Sequence, residues 1–292
     1  MAITFEGQVA VVTGAGNGLG RAHALEMARR GASVVVNDLE PHAADAVVSE
    51  IVAAGGSAAA NYSSVSTPAG GDEIYATALE RFGRVDVLVN NAGTLRDRSF
   101  AKLSNDELDL VLDTQLKGAF YVTQPVFRQM QAQNYGRLIF TSSNVGLFGN
   151  FGQANYAAAK MGLVGLANVL AIEGAKRNIT SNVIAPIAAT RQTASMFEDL
   201  AASYSPDEVA ALVCYLASTE CTSTHEIFSV GGGRLARVRI AVTEGWKPGG
   251  IPSVEDVAAA MPEILSATDW VTPLSGAEEV AMTPAASAAA TP

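Results

Sequence analysis

Between Val9 and Val230, short runs of β-branched and small apolar residues alternate with longer stretches whose apolar positions fall three and four apart. The short runs are apolar along most of their length, so they need burial on both faces. A parallel sheet covered by helices on each side provides it. The strands expected on this basis are Val9–Val12, Ser33–Asn37, Ser57–Asn61, Val85–Asn90, Arg137–Thr141, Thr180–Ala185 and Ile227–Val230. They predict an α/β fold: a doubly wound, mostly parallel, seven-stranded sheet of the Rossmann type with helices on both faces. Residues 1–250 are read as this one domain.

Local signals place several helix ends. Gly31 follows Arg29 and Arg30, a left-handed stop behind cations that suit the negative end of a helix dipole. The stretch from Asn105 to Gln133 is long for one helix and contains Pro125, which predicts a bend at the proline. Residues 251–281 form a C-terminal extension with a short amphipathic helix from Ser253 to Leu265, interrupted by Pro262. Residues 282–292 are almost entirely Ala, Thr, Ser and Pro, too little apolar surface to order a chain, so a disordered tail is expected.

Composition removes whole classes of partner. A formal charge of -10 and a pI near 4.8, with no basic run, argue against nucleic acid and anionic membrane surfaces. No uninterrupted apolar run reaches the ~20 residues of a membrane span, and no basic segment precedes the first strand, so a cytoplasmic location is expected. Cys214 and Cys221 are too few for a disulfide framework, and His23, His42 and His225 lack metal-ligand spacing; no metal is expected.

The first strand runs into Thr13-Gly14-Ala15-Gly16-Asn17-Gly18-Leu19-Gly20 and then a helix. Such a glycine-rich turn lets backbone approach a pyrophosphate at a helix N-terminus. Gly14, Asn17, Gly18, Leu19 and Gly20 are therefore candidate cofactor-binding residues. Asp38 ends the second strand, where a carboxylate accepts hydrogen bonds from ribose hydroxyls and repels a 2'-phosphate; Asn17 and Leu39 occupy the places where a basic residue would serve NADP. NAD is the expected cofactor.

Tyr156 and Lys160 are spaced to share one helix face. A nearby ammonium favours the phenolate, so Lys160 is expected to lower the Tyr156 pKa and make the phenol a usable base. Ser143, at the end of the fifth strand, is placed to hydrogen-bond a substrate oxygen. The turn Asn90-Asn91-Ala92-Gly93 after the fourth strand lies, like the glycine-rich turn, at the carboxyl edge of the sheet, where ligands bind in such folds.

Together these motifs resemble the short-chain dehydrogenase/reductase family over about residues 5–235. The resemblance implies an NAD-dependent oxidoreductase acting on a secondary alcohol or ketone. It assigns catalytic roles to Ser143, Tyr156 and Lys160 and puts Asn91, Ala92, Gly93, Pro186 and Ile187 in the cofactor site, along with Tyr156 and Lys160. Gln115 stands where that family usually has an asparagine of the proton relay, Ser63 and Ser64 where an aspartate often touches adenine, and Ile187 where glycine is usual.

Within the family, Leu95-Arg96-Asp97-Arg98-Ser99-Phe100 and Gly149-Asn150-Phe151-Gly152-Gln153-Ala154-Asn155-Tyr156 resemble the (3R)-hydroxyacyl-CoA dehydrogenase domains of peroxisomal multifunctional enzymes of type 2 and their bacterial relatives. An acyl-CoA substrate is implied, with Arg96, Arg98, Lys102 or Arg191 as candidate phosphate contacts. A hydroxysteroid substrate is the alternative, for which Leu147, Phe148, Phe151, Met196 and Phe197 could supply an apolar cleft. A second alternative is a non-catalytic NAD-sensing protein. The remainder is too short for a fused hydratase domain, so a stand-alone enzyme is expected, assembled as a homodimer or homotetramer.

Overall fold

The structure is a computed structural model of the chain and describes residues 2–188 and 204–283. Met196, Phe197 and Arg191, and all but the start of the predicted tail, lie outside the described residues. The chain divides into two compact units, Met1–Arg237 and Val238–Pro292.

The first unit carries seven parallel-paired strands: β1 (Val9–Thr13), β2 (Ser33–Asn37), β3 (Ser57–Asn61), β4 (Val87–Asn90), β5 (Gly136–Thr141), β6 (Ile179–Pro186) and β7 (Glu226–Gly231). An eighth strand, β8 (Arg234–Val238), follows the Gly231-Gly232-Gly233 turn and corrects the expected seven. Its sequence, Arg-Leu-Ala-Arg-Val, is mostly exposed and lacks the apolar run that marks the others. The sheet order is β3-β2-β1-β4-β5-β6-β7-β8. Every residue of β1, β4 and β5 is buried, as two-sided coverage requires.

Among the described residues this unit also contains helices α1 (Gly18–Arg29), α2 (Pro41–Ala53), α3 (Pro68–Phe82), α4 (Asn105–Leu112), α5 (Gly118–Gln133), α6 (Asn144–Phe148), α7 (Ala154–Gly174) and α8 (Pro206–Ala217). One face holds α1 and α8 against a core that includes Val12, Val36, Val89, Val213 and Leu216. On the other face α3 packs on α5, and α7 packs on β5 and β6. The helix Ala154–Arg177 has the length and apolarity of a membrane span, but Leu163, Val164, Ala167, Leu170 and Ala171 are buried in the unit, as expected of a core helix.

The stretch from Asn105 to Gln133 departs from regular α-helix before the proline. Regular helix gives way to a π-helical turn at Asp113–Lys117, while Pro125 lies within α5. The proline removes the donor that would bond the Tyr121 carbonyl, yet α3 lies so close that a Cβ on Gly71 would sit 2.4 Å from that oxygen. Packing thus holds the helix through the proline.

The second unit contains α9 (Val254–Ser266), with Pro262 inside it, and α10 (Gly276–Ala281). Ser253 and Asp256 form a reciprocal capping box that starts α9 where the sequence predicts a helix.

Candidate active site

The strand order reverses between β1 and β4, the switch point at whose carboxyl edge ligands bind in such folds. Hydrogen bonds lock the loops leaving these two strands together. Asn91 donates its Nδ2 to the carbonyls of Thr13 and Gly14, and the backbone N–H groups of Asn91 and Ala92 both donate to Thr13 Oγ1 at 3.0 Å.

The glycine-rich turn is as tight as its sequence requires. Gly14 has φ +61°, and a Cβ there would lie 2.8 Å from Ala92 Cα; a Cβ on Gly20 would lie 2.2 Å from the Gly14 carbonyl. Asn17 precedes α1 without a side-chain cap, and the first turn holds no acid. The opening N–H groups of α1, at Gly18, Leu19 and Gly20, therefore form a backbone cradle suited to an anion. At one end Asp38 accepts from Gly16 N at 2.8 Å and from Glu40 N at 3.0 Å, using one carboxylate oxygen for each. Both oxygens keep lone pairs for ribose hydroxyls. A dinucleotide's pyrophosphate and ribose fit this donor and acceptor set.

The chemistry-bearing side chains converge from β5, α6 and α7. Ser143 caps α6, its Oγ accepting from Val145 N. Lys160 is buried and donates from Nζ to the Thr141 carbonyl at 2.7 Å, with Nζ 5.5 Å from the centroid of the Tyr156 ring. Burial pushes the Lys160 ammonium down to about 7. Burial also raises the Tyr156 phenol, a hydrogen bond with Ser143 pulls it back, and the Asp97 carboxylate adds a smaller upward push. The expected lowering of the Tyr156 pKa by Lys160 is therefore corrected: desolvation is the largest influence on each group and opposes its charged form.

Gln115 lies in the π-helical turn, buried, with Nε2 donating to the Thr94 carbonyl at 2.6 Å. Its buried Oε1 has no partner and would stand 3.0 Å from a Cβ on Gly93. The side chain thus braces the loop after β4. Pro186 ends β6, and Ile187 is fixed by its N–H bond to the Val230 carbonyl at 2.8 Å.

Residues 8–205 match the family model for short chain dehydrogenase. The chain belongs to the short-chain dehydrogenase family. It is 49% identical over 253 residues to peroxisomal multifunctional enzyme type 2 of Mus musculus, a match covering 83% of this chain and 34% of that one. It therefore spans about a third of this much longer relative. It is also 47% identical over 281 residues to a putative short-chain type dehydrogenase/reductase of Mycobacterium tuberculosis, covering 93% of this chain and 96% of that one. The structure of full-length peroxisomal multifunctional enzyme type 2 from Drosophila melanogaster superposes with TM-score 0.81 at 40% identity, covering 95% of this chain and 49% of that one.

Sequence reasoning missed two residues that hold this dehydrogenase site together. Thr13 supplies the oxygen that fastens the loop after β4, and Gly16 supplies the N–H that orients Asp38. Both lie inside the glycine-rich motif, but neither bond follows from its spacing. Of the expected phosphate contacts, Arg98 is engaged with Glu107 at 2.9 Å, whereas Arg96 is exposed and its guanidinium bonds only to Leu95 O and Thr94 Oγ1 among the described residues.

Proposed function

We propose that this dehydrogenase uses NAD to oxidise (3R)-3-hydroxyacyl-CoA thioesters, with Tyr156 as the general base, Ser143 as the donor to the substrate oxygen, and Lys160 as the cation that orients the sugar and the phenol. The carrying observation is the convergence of these three side chains beside a glycine cradle that Asp38 closes with a carboxylate. When bound, the nicotinamide accepts the hydride. Tyr156 removes the hydroxyl proton, and Ser143 Oγ stabilises charge growing on the oxygen. Gly14, Asn17, Gly18, Leu19 and Gly20 would hold the pyrophosphate, Asp38 the ribose, Asn91 to Gly93 the adenine side, and Pro186 and Ile187 the nicotinamide.

Thioester chemistry is supported by the relatives named as peroxisomal multifunctional enzymes and by a relative from Synechocystis named 3-oxoacyl-[acyl-carrier-protein] reductase, 41% identical over 237 residues. Arg96 and Lys102, exposed and outside any ion pair among the described residues, suit the phosphates. Phe148 and Phe151, 74% and 88% exposed between Ser143 and Tyr156, suit an apolar chain.

The test is NADH formation with a (3R)-hydroxyacyl-CoA panel, a 3S panel and a hydroxysteroid panel measured side by side. Turnover of the 3R thioesters alone is expected. Steroid turnover with silent thioesters would reverse the substrate assignment, and silence throughout would favour a sensor.

Assembly as a homodimer or homotetramer is part of this reading. Phe120 on α5 and Val169 and Ile172 on α7 are each about half exposed, and Gly165 faces open space, so close helix approach is available. A monomer in sedimentation at micromolar concentration would refute it.

A further inference from the structure

The residue that carries the proposed base begins a helix whose ordinary cap is missing. Gln153 precedes α7 without capping it through its side chain. The N–H of Tyr156, in the first turn, has no backbone carbonyl acceptor within the helix. Asn155 Oδ1 accepts it at 2.8 Å. The rest of that amide points elsewhere: Nδ2 donates to the Arg96 carbonyl at 3.0 Å and to the Glu107 carbonyl at 3.3 Å. Asn155 is 1% exposed, so its amide is satisfied by these bonds and not by water. One buried side chain thereby joins α7, the loop after β4 and helix α4.

Two more bonds close the same seam. Arg98 N donates to the Gly152 carbonyl at 2.7 Å, and Gln153 Nε2 donates to Asp97 Oδ2 at 3.0 Å. Segment 96–98, which carries the candidate substrate cation Arg96, is thus fastened to the turn from which Tyr156 projects. Two carbonyls and one N–H demand a group with two donors and one acceptor at this point. An amide matches this set; a carboxylate would set an oxygen against both carbonyls, and alanine would remove all three bonds together.

We propose that Asn155 is a positioning residue for proton transfer, holding the Tyr156 hydroxyl and segment 96–98 in one fixed register. This rests on the dehydrogenase reading above. Asn155 does not touch the reacting atoms; it acts through the backbone of Tyr156. The charged groups facing that phenol are Lys160 from α7 itself and Asp97 from the loop after β4, and the second is held by the same seam.

The full chain is tested with Asn155→Ala and the isosteric Asn155→Asp, using whichever secondary alcohol the wild type oxidises. NADH binding, kcat and KM across pH, and the solvent deuterium isotope effect are measured. A misplacement of the base by about an ångström predicts a fall in kcat of about 100-fold, with NADH affinity within about twofold and a larger isotope effect as proton transfer becomes limiting. Asn155→Asp keeps the acceptor for Tyr156 N but loses both donors and adds a carboxylate. Its kinetic pKa should move upward, a change that simple loss of stability would not produce. If Asn155→Ala does not fold, Asn155→Asp carries the test by the same measurements. Wild-type kcat in a folded variant, or loss of NADH binding in step with kcat, overturns the proposal. A wild type that oxidises no secondary alcohol overturns the dehydrogenase reading and this proposal together, whereas an active wild type with an indifferent variant overturns this proposal alone.

Discussion

The turns after β1 and β2 and the segment from β5 into α7 border one crevice, but they are built from different materials. The first is backbone: N–H groups at the start of α1, carbonyls tied by Asn91, and glycines where a single methyl would collide. The second is side chain: a phenol and an ammonium whose protonation is shifted by burial. A backbone cradle tolerates a change of functional group poorly at Asp38 alone, but tolerates added volume almost nowhere. The reacting segment is sensitive to the identity of an atom rather than to its volume, because a proton must be carried at one place. Binding and chemistry should therefore fail separately.

The largest expected effect tests the reacting side. Tyr156→Phe removes one oxygen and keeps the ring, so kcat should fall by about 10³-fold while NADH affinity, followed by fluorescence titration, stays within about twofold. Retention of more than a few per cent of wild-type turnover would assign the base elsewhere. The opposite pattern is expected of Gly20→Ala, whose methyl meets the Gly14 carbonyl. Overpacking of about 2–3 kcal/mol there should weaken NADH binding by about 30- to 160-fold. If Gly20→Ala bound NADH normally, the contrast between the two segments would collapse.

Asp38→Ala sharpens the cradle side. Loss of its carboxylate removes the acceptors for ribose hydroxyls and the repulsion of a 2'-phosphate, so the ratio of kcat/KM for NAD over NADP should drop by about tenfold or more. An unchanged ratio would show that another group reads the ribose.

The smallest effect at neutral pH lies in α1 itself, behind the cradle. His23 is fully buried and neither ring nitrogen has a partner; burial holds its pKa down at about 3. With the folded pKa below the unfolded value near 6.5, the unfolded chain binds more protons in the interval between them. This contribution to stability is complete above about pH 6.5 and is lost progressively as pH falls towards 3. His23→Leu should raise stability by about 1 kcal/mol at pH 7 by removing unpaired polar atoms. It should give about 2 kcal/mol more at pH 5 by removing the proton uptake. Parallel melting curves for both proteins from pH 7 to pH 5 would contradict this.

Much of the sheet was legible because a strand buried on both faces must be apolar along its length. β2 and β3 start and stop at the predicted residues. β8 was not legible because an exposed strand with two arginines carries no such mark. Pro125 was the only local signal in its stretch, and the π-helical turn around Gln115 was not legible because no local residue preference announces it.

What the sequence determined by itself is local and periodic: the strands, the glycine turn that only residues without a Cβ can make, and the spacing that puts Tyr156 and Lys160 on one helix face. The tertiary structure decided everything that depends on who the neighbours are. It set the sign of the Tyr156 shift, because desolvation is a property of the surrounding packing and not of the Lys160 charge alone. It gave Arg98 to Glu107 and left Arg96 without an ion-pair partner among the described residues. It also brought Asn155 to a carbonyl 59 residues away. Hydrogen bonds at that separation follow from chain topology, for which a single sequence carries no local signal.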